Sequence, residues 1–270
     1  MSLADIYLDY AAILATITYT LGGLLFMLPI PVHGVKKWGQ NMIKDGIYAT
    51  FLAAIYKFIL SITKIIMGML HISWQSYILT LTAEELAVGG AYIFLSSLLS
   101  LESFFSSIPI LGTIVSIVGG KEFIKGLASS LGATLQFITM LYAFSVFIEF
   151  TAPLLIAIGI MFMALPFRIG KDAGAFLISF SLVLYVGLPF LPTFDSIIFG
   201  VMFQGQSMYE MLASIIATSI ISLNLLTSVI PLLQLYVTIS TVYIGFLLAV
   251  AYGIAELILS RSLPFEINLF

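Results

Sequence analysis

The chain has 270 residues, of which 61% are hydrophobic and 9% charged, with a formal net charge of −3 and no cysteine. Its mean hydropathy of +1.17 excludes a soluble globular domain, because a soluble fold has too much surface to hide that much apolar area. The absent thiols remove disulfides, thiolate nucleophiles and cysteine-ligated metals.

Met1–Tyr10 carries Asp5 and Asp9 and no basic residue, so the apolar run that follows reads as a retained span and not a secretory leader. That first span is Ala11–Pro31, stopped by Pro29 and Pro31. Ile47–Leu70 is the second and holds Lys57 and Lys64. Leu86–Leu101 is the third. Phe104–Val118, with Pro109 inside it, is too short for the ~20 residues a span needs, and reads as a re-entrant or interfacial segment. Leu127–Ile148 and Thr151–Pro166 read as a hairpin turning at Glu149. Ala173–Leu191 follows, then a polar stretch, Pro192–Gln206. Tyr209–Ser260 holds two spans broken near Asn224–Pro231, or crosses once. The expected fold class is all-α: a polytopic transmembrane helical bundle of about eight spans, seven if the C-terminal region crosses once, plus the re-entrant segment. Residues 1–270 are expected to form a single integral membrane domain.

Seven of the ten basic residues lie in three gaps, Val32–Asp45, Lys121–Lys125 and Phe167–Asp172. Lys and Arg in short loops face the cytoplasm. Placing all three gaps inside puts Met1–Tyr10, His71–Glu85, Glu149 and Pro192–Glu210 outside, and with eight spans both termini are extracytoplasmic. His33 and His71 then fall on opposite sides, which argues against a shared zinc site or catalytic triad.

Thr50, Lys57, Lys64 and His71 recur every seven residues, two helical turns, and share one stripe of the second span. A charge at mid-membrane costs about 2.5–3.5 kcal/mol on insertion scales. One reading of the stripe is a polar groove or pore wall that attracts phosphate; the other is that Lys64 snorkels outward while Lys57 pairs with a carboxylate such as Glu102 or Glu149. Glu256 is the other intramembrane charge, with Arg261 as its expected local partner. No carboxylate has a partner at a spacing that suggests acid–base catalysis. No catalytic residue, metal ligand or cofactor is assigned.

In Ala152–Pro192 a span closes on Pro166, turns through Arg168-Ile169-Gly170-Lys171-Asp172-Ala173-Gly174, then reads Leu177-Ile178-Ser179-Phe180 and Leu184-Tyr185-Val186-Gly187-Leu188-Pro189. This stretch resembles the TrbL-like family, polytopic inner-membrane components of conjugation and type IV secretion machines. Within that family it is most similar to the CedA-like membrane proteins of the crenarchaeal Ced DNA-import system. The motif makes physical sense: Arg168 and Lys171 pin a turn to cytoplasmic headgroups, while Gly170 and Gly174 let two helices close beneath it.

The resemblance implies a non-enzymatic channel or scaffold subunit of a DNA-import machine in the cytoplasmic membrane. It also implies small one- or two-span pilin-like membrane partners, a cytoplasmic hexameric ATPase, DNA as cargo and contact with membrane lipids. The chain cannot supply the ATPase, having no G-x-x-x-x-G-K-[ST] phosphate loop. The buried lysines and the possible re-entrant segment leave a small-molecule secondary transporter open, as well as a structural subunit of another secretion or pilus platform.

Overall fold

The computed structural model describes residues 3–29, 33–106, 120–202 and 223–260. Every regular element among them is helical. In chain order they are α1 (Leu3–Met27), α2 (His33–Met69), α3 (Trp74–Ser106), α4 (Gly120–Met163), α5 (Lys171–Gly187), α6 (Leu191–Met202) and α7 (Leu223–Ser260). Short 3₁₀ turns at Pro166–Arg168 and Leu188–Phe190 flank α5. Six of the described helical stretches are long and apolar enough to cross a membrane: Leu3–Met27, Gly34–Met69, Trp74–Leu101, Ile124–Met163, Lys171–Phe199 and Ile230–Leu259.

The prolines behave in two ways. α1 stops before Pro29, α4 before Pro166 and α5 before Pro189, as a ring without an N–H requires. Pro153 and Pro231 instead sit inside α4 and α7. Membrane helices tolerate such prolines where neighbouring groups satisfy the disturbed backbone. The Tyr56 hydroxyl donates to the carbonyl of Pro153 itself at 2.9 Å, tying α2 to α4 at that position.

Several sequence expectations are corrected here. No hairpin turns at Glu149, because α4 runs unbroken for 44 residues, about 66 Å at 1.5 Å per residue. The Lys121–Lys125 and Phe167–Asp172 gaps therefore lie at opposite ends of one helix, and the eight-span count, which needs that hairpin, is lost on this stretch. Pro192–Gln206 was expected as a polar loop, yet Leu191–Met202 is helix. Asn224–Pro231 is no break, since α7 is continuous from Leu223. α3 begins at Trp74, so most of the expected His71–Glu85 loop is also helical. The segment expected to be re-entrant lies outside the described residues beyond Ser106, and Phe104–Ser106 closes α3.

The chain divides into two compact units, Met1–Ile72 with Phe147–Leu188 and Gly245–Phe270, and Ser73–Val146 with Pro189–Ile244. The first unit buries small and branched side chains: Ala11 and Ala15 of α1, Ala49 and Leu52 of α2, Ile156 and Ile160 of α4, Ala175 and Ile178 of α5. Hydrophobic burial cannot drive helices together in lipid, so close van der Waals contact must. Glycines provide it. A Cβ on Gly22 would lie 2.8 Å from the Ile43 nitrogen, and one on Gly174 would lie 2.5 Å from the Gly159 carbonyl oxygen. The second unit is built around Val88 and Leu95 of α3, Leu127, Leu131 and Ile138 of α4, Phe199 of α6, and Leu233 and Tyr236 of α7.

Gly22 and its neighbour provide a matched test. Gly22→Ala overpacks the α1–α2 contact, while a Cβ on Gly23 meets nothing within 4 Å. Thermal unfolding in detergent should show G22A destabilised by about 1–3 kcal/mol and G23A unchanged or slightly stabilised. Equal behaviour of the two variants would contradict the close α1–α2 approach.

Candidate functional site

The first polar constellation lies at the turn between α4 and α5. Pro166 opens it, and Phe167 and Arg168 follow with φ of 63° and 64°. Left-handed backbone at a residue with a Cβ costs about 1–2 kcal/mol, so the surroundings must hold it. Asp45 of α2 does so from the far side of the chain: Lys171 Nζ donates to its Oδ1 at 2.7 Å, and Arg168 Nε lies 2.9 Å from its Oδ2. The Lys171 contact is a buried charge-assisted hydrogen bond, with both side chains 10% exposed. The Arg168 contact is looser: its side chain is 44% exposed and its N–H is not aligned for a hydrogen bond to Oδ2. Gly170 fits beneath the turn, where a Cβ would come within 2.7 Å of the Phe162 carbonyl oxygen. The rings of Phe167 and Trp38 lie 5.8 Å apart. All four residues of the family-like turn, Arg168, Gly170, Lys171 and Gly174, thus meet around one carboxylate or one helix crossing.

The second constellation is the outward face of α2. Thr50, Lys57 and Lys64 are exposed on the stripe that their spacing predicts. His71 is not part of it: α2 ends at Met69, and His71 follows in a turn with φ of 54°, where helical spacing no longer applies. Among the described residues neither lysine lies within ion-pair distance of a carboxylate. Glu149, one of the acids considered as a partner, is half-buried on α4 and pairs with neither. The side chain of Glu102 and all of Arg261 lie outside the described residues. Beside the Thr50 end of the stripe, α1 and α2 leave an open groove of about 400 Å³ lined by Ala15, Thr16 and Tyr19 of α1 and by Gly46, Ile47, Thr50, Phe51 and Ala54 of α2.

The third constellation belongs to the second unit and escaped the sequence reading. Glu84 Oε2 accepts a 2.7 Å hydrogen bond from the Tyr236 hydroxyl, and Asp195 Oδ2 accepts a 3.4 Å contact from Ser240. Tyr236 and Ser240 are one turn apart on α7, so the two acids sit against consecutive turns of one helix. Tyr77 and Ser145 share a hydrogen bond at 2.8 Å, and Glu85 accepts one from Thr139 at 2.9 Å. Asp195 is buried, and its Oδ1 has no hydrogen-bond partner among the described residues. Both acids had been placed in loops. The available signal was the polar spacing Tyr236, Ser240, Tyr243 within an apolar helix, which marks a face that needs polar company.

Long apolar helices joined by glycine contacts, with polar side chains reserved for a few sites, define a polytopic helical membrane protein. A family model described as DNA import protein CedA1 matches residues 3–80, which include α1, α2, Asp45 and the lysine face. The DNA import protein CedA of Sulfolobus acidocaldarius is 30% identical over 187 residues, covering 69% of this chain and 69% of that protein. The chain belongs to the CedA family. No solved structure matches it.

Breaking a buried pair by removing one partner leaves an uncompensated charge, at a cost of about 3–5 kcal/mol. Asp45→Asn should therefore lower thermal stability strongly, and Asp45→Asn with Lys171→Met should recover part of the loss. The measurement is a double-mutant cycle in detergent; an additive cycle would contradict the pairing.

Proposed function

We propose that this chain is a non-enzymatic subunit of a DNA-import machine in the cytoplasmic membrane, acting as part of its channel or scaffold. Kinship with the CedA protein supports the import role. The observation that carries the reading is the α2 face. Two lysines on a helix long and apolar enough to cross the membrane point away from their own protein. Such charges are not left facing hydrocarbon, so α2 meets something polar that the described residues do not supply. A free-standing carrier has no need of such a face; a subunit of a larger apparatus does. In that apparatus the motor is a separate cytoplasmic hexameric ATPase, small one- or two-span pilin-like proteins are neighbours, lipids surround the bundle and DNA is the cargo.

A second reading, small-molecule secondary transport, draws on the Glu84–Asp195 pair: intramembrane carboxylates with no basic partner among the described residues are a common ingredient of ion-coupled carriers.

The two readings separate on one pair of variants. Because Lys57 and Lys64 are exposed, Lys57→Gln with Lys64→Gln strands no buried acid within the described structure and should leave protein abundance within about twofold of wild type, a change under ~0.5 kcal/mol. DNA uptake by cells carrying the double variant should fall at least tenfold. Normal uptake at normal abundance would overturn the assembly reading, and a deficit confined to Asp195→Asn would favour the carrier.

A further inference from the structure

The exposed face of α2 has a finer pattern than its lysines alone show. Thr50, Lys57 and Lys64 repeat every seven residues, and Ala54, Ser61 and Gly68 repeat every seven residues beside them, all within α2. The combined spacing alternates four and three, the 3.5-residue period of a helix that packs along a second helix with a left-handed twist. Every one of these positions is exposed. From Thr50 to Gly68, just before α2 ends at Met69, the pattern runs 18 residues, about 27 Å, close to the ~30 Å thickness of membrane hydrocarbon. The next face of the helix is different: Phe58 and Ile65 are 64% and 53% exposed, large and apolar as a lipid-facing surface should be.

We infer that this stripe is a docking seam for one transmembrane helix of a different protein, which carries carboxylates two turns apart opposite Lys57 and Lys64. The inference rests on the reading of the chain as an assembly subunit and names what the lysine face meets. Ala54, Ser61 and Gly68 are the small residues that let a second backbone come close, and at the Thr50 end the 400 Å³ groove beside Gly46 and Thr50 gives the incoming helix room. Lysines covered by a helix in a medium without water require opposite charge at the same depth. The two lysines are about 10 Å apart along α2, so the acids of the partner share that spacing. A second copy of this chain docked in parallel through the same seam would place lysine against lysine, which like charges forbid. A DNA strand is a poorer fit. A hydrated polyanion calls for cations spread over an aqueous wall, whereas these are confined to one narrow row beside bulky apolar side chains.

The absence of cysteine from the chain makes the test clean. Single cysteines at Ser61, Gly68 and, on the apolar face, Ile62 are labelled with a benzophenone maleimide in membranes from DNA-importing cells and irradiated. Ser61 and Gly68 should yield an adduct with one membrane protein at least fivefold above Ile62. Mass spectrometry should place the cross-link on a helix with Asp or Glu seven residues apart. Lys57→Glu with Lys64→Glu should abolish the adduct, Lys57→Arg with Lys64→Arg should keep it, and reversing the partner's acids to lysine should restore it to the Glu variant. Equal adducts at all three positions, an adduct with DNA, an adduct with a second copy, or rapid reaction of Ser61→Cys with a membrane-impermeant maleimide would each overturn the seam. If the adduct fails while the Gln double variant still loses DNA uptake, the seam falls and the import reading stands.

Discussion

The hydrogen bond between Lys171 and Asp45 joins positions 126 residues apart in the chain, and much of the first unit depends on it. It ties the start of α5 to α2 and holds the left-handed turn at Phe167 and Arg168 in place. Helices in lipid are not squeezed together by water. Their arrangement is set by backbone contact at glycines and by a few polar groups with nowhere else to go. Gly22 on α1 and the paired Gly159 and Gly174 provide the former; Asp45, with Thr18 donating to the Ala164 carbonyl at 2.7 Å, provides the latter. Once the inner face of α2 is committed to these contacts, its opposite side must carry Lys57 and Lys64 outward.

That order of cause explains what could be read from the residues and what could not. Helix termini at Pro29, Pro166 and Pro189 were legible because a proline is a local event. Pro231 misled for the same reason: the break expected near it does not occur, since α7 runs through it, and whether a membrane helix tolerates an internal proline depends on neighbouring groups that no local rule contains. Glu149 looked like a turn because a charge interrupting an apolar run marks a boundary in most membrane chains. Here it sits half-buried in the middle of α4. The basic gaps at Lys121–Lys125 and Phe167–Asp172 therefore flank one continuous helix and not a hairpin.

The sites divide in the same way. The lysine stripe follows from a seven-residue period within one helix, so spacing alone located it. The turn of Arg168, Gly170, Lys171 and Gly174 was visible as a motif, but its acid was not, because Asp45 sits in another basic gap and reads there as one charge among lysines. The Glu84 and Asp195 cluster lies deepest from view. Its hydrogen bonds reach from α3 and α6 to α7, across 152 and 45 residues, and each acid considered by itself resembles a loop residue. Long-range polar contacts of this kind are fixed by the bundle and not by neighbours in sequence.

On one side α2 packs through glycine contacts, and on the other it carries a row of cations with no carboxylate at ion-pair distance among the described residues. The measurement that bears most directly on the role of the protein compares two routes of DNA entry in cells lacking this chain and in cells with it restored. One selectable marker is offered as external DNA through the native import route and delivered in parallel by electroporation. A DNA-import subunit requires that cells without the chain lose acquisition by the first route and keep it by the second. Undiminished acquisition by the import route would contradict that role.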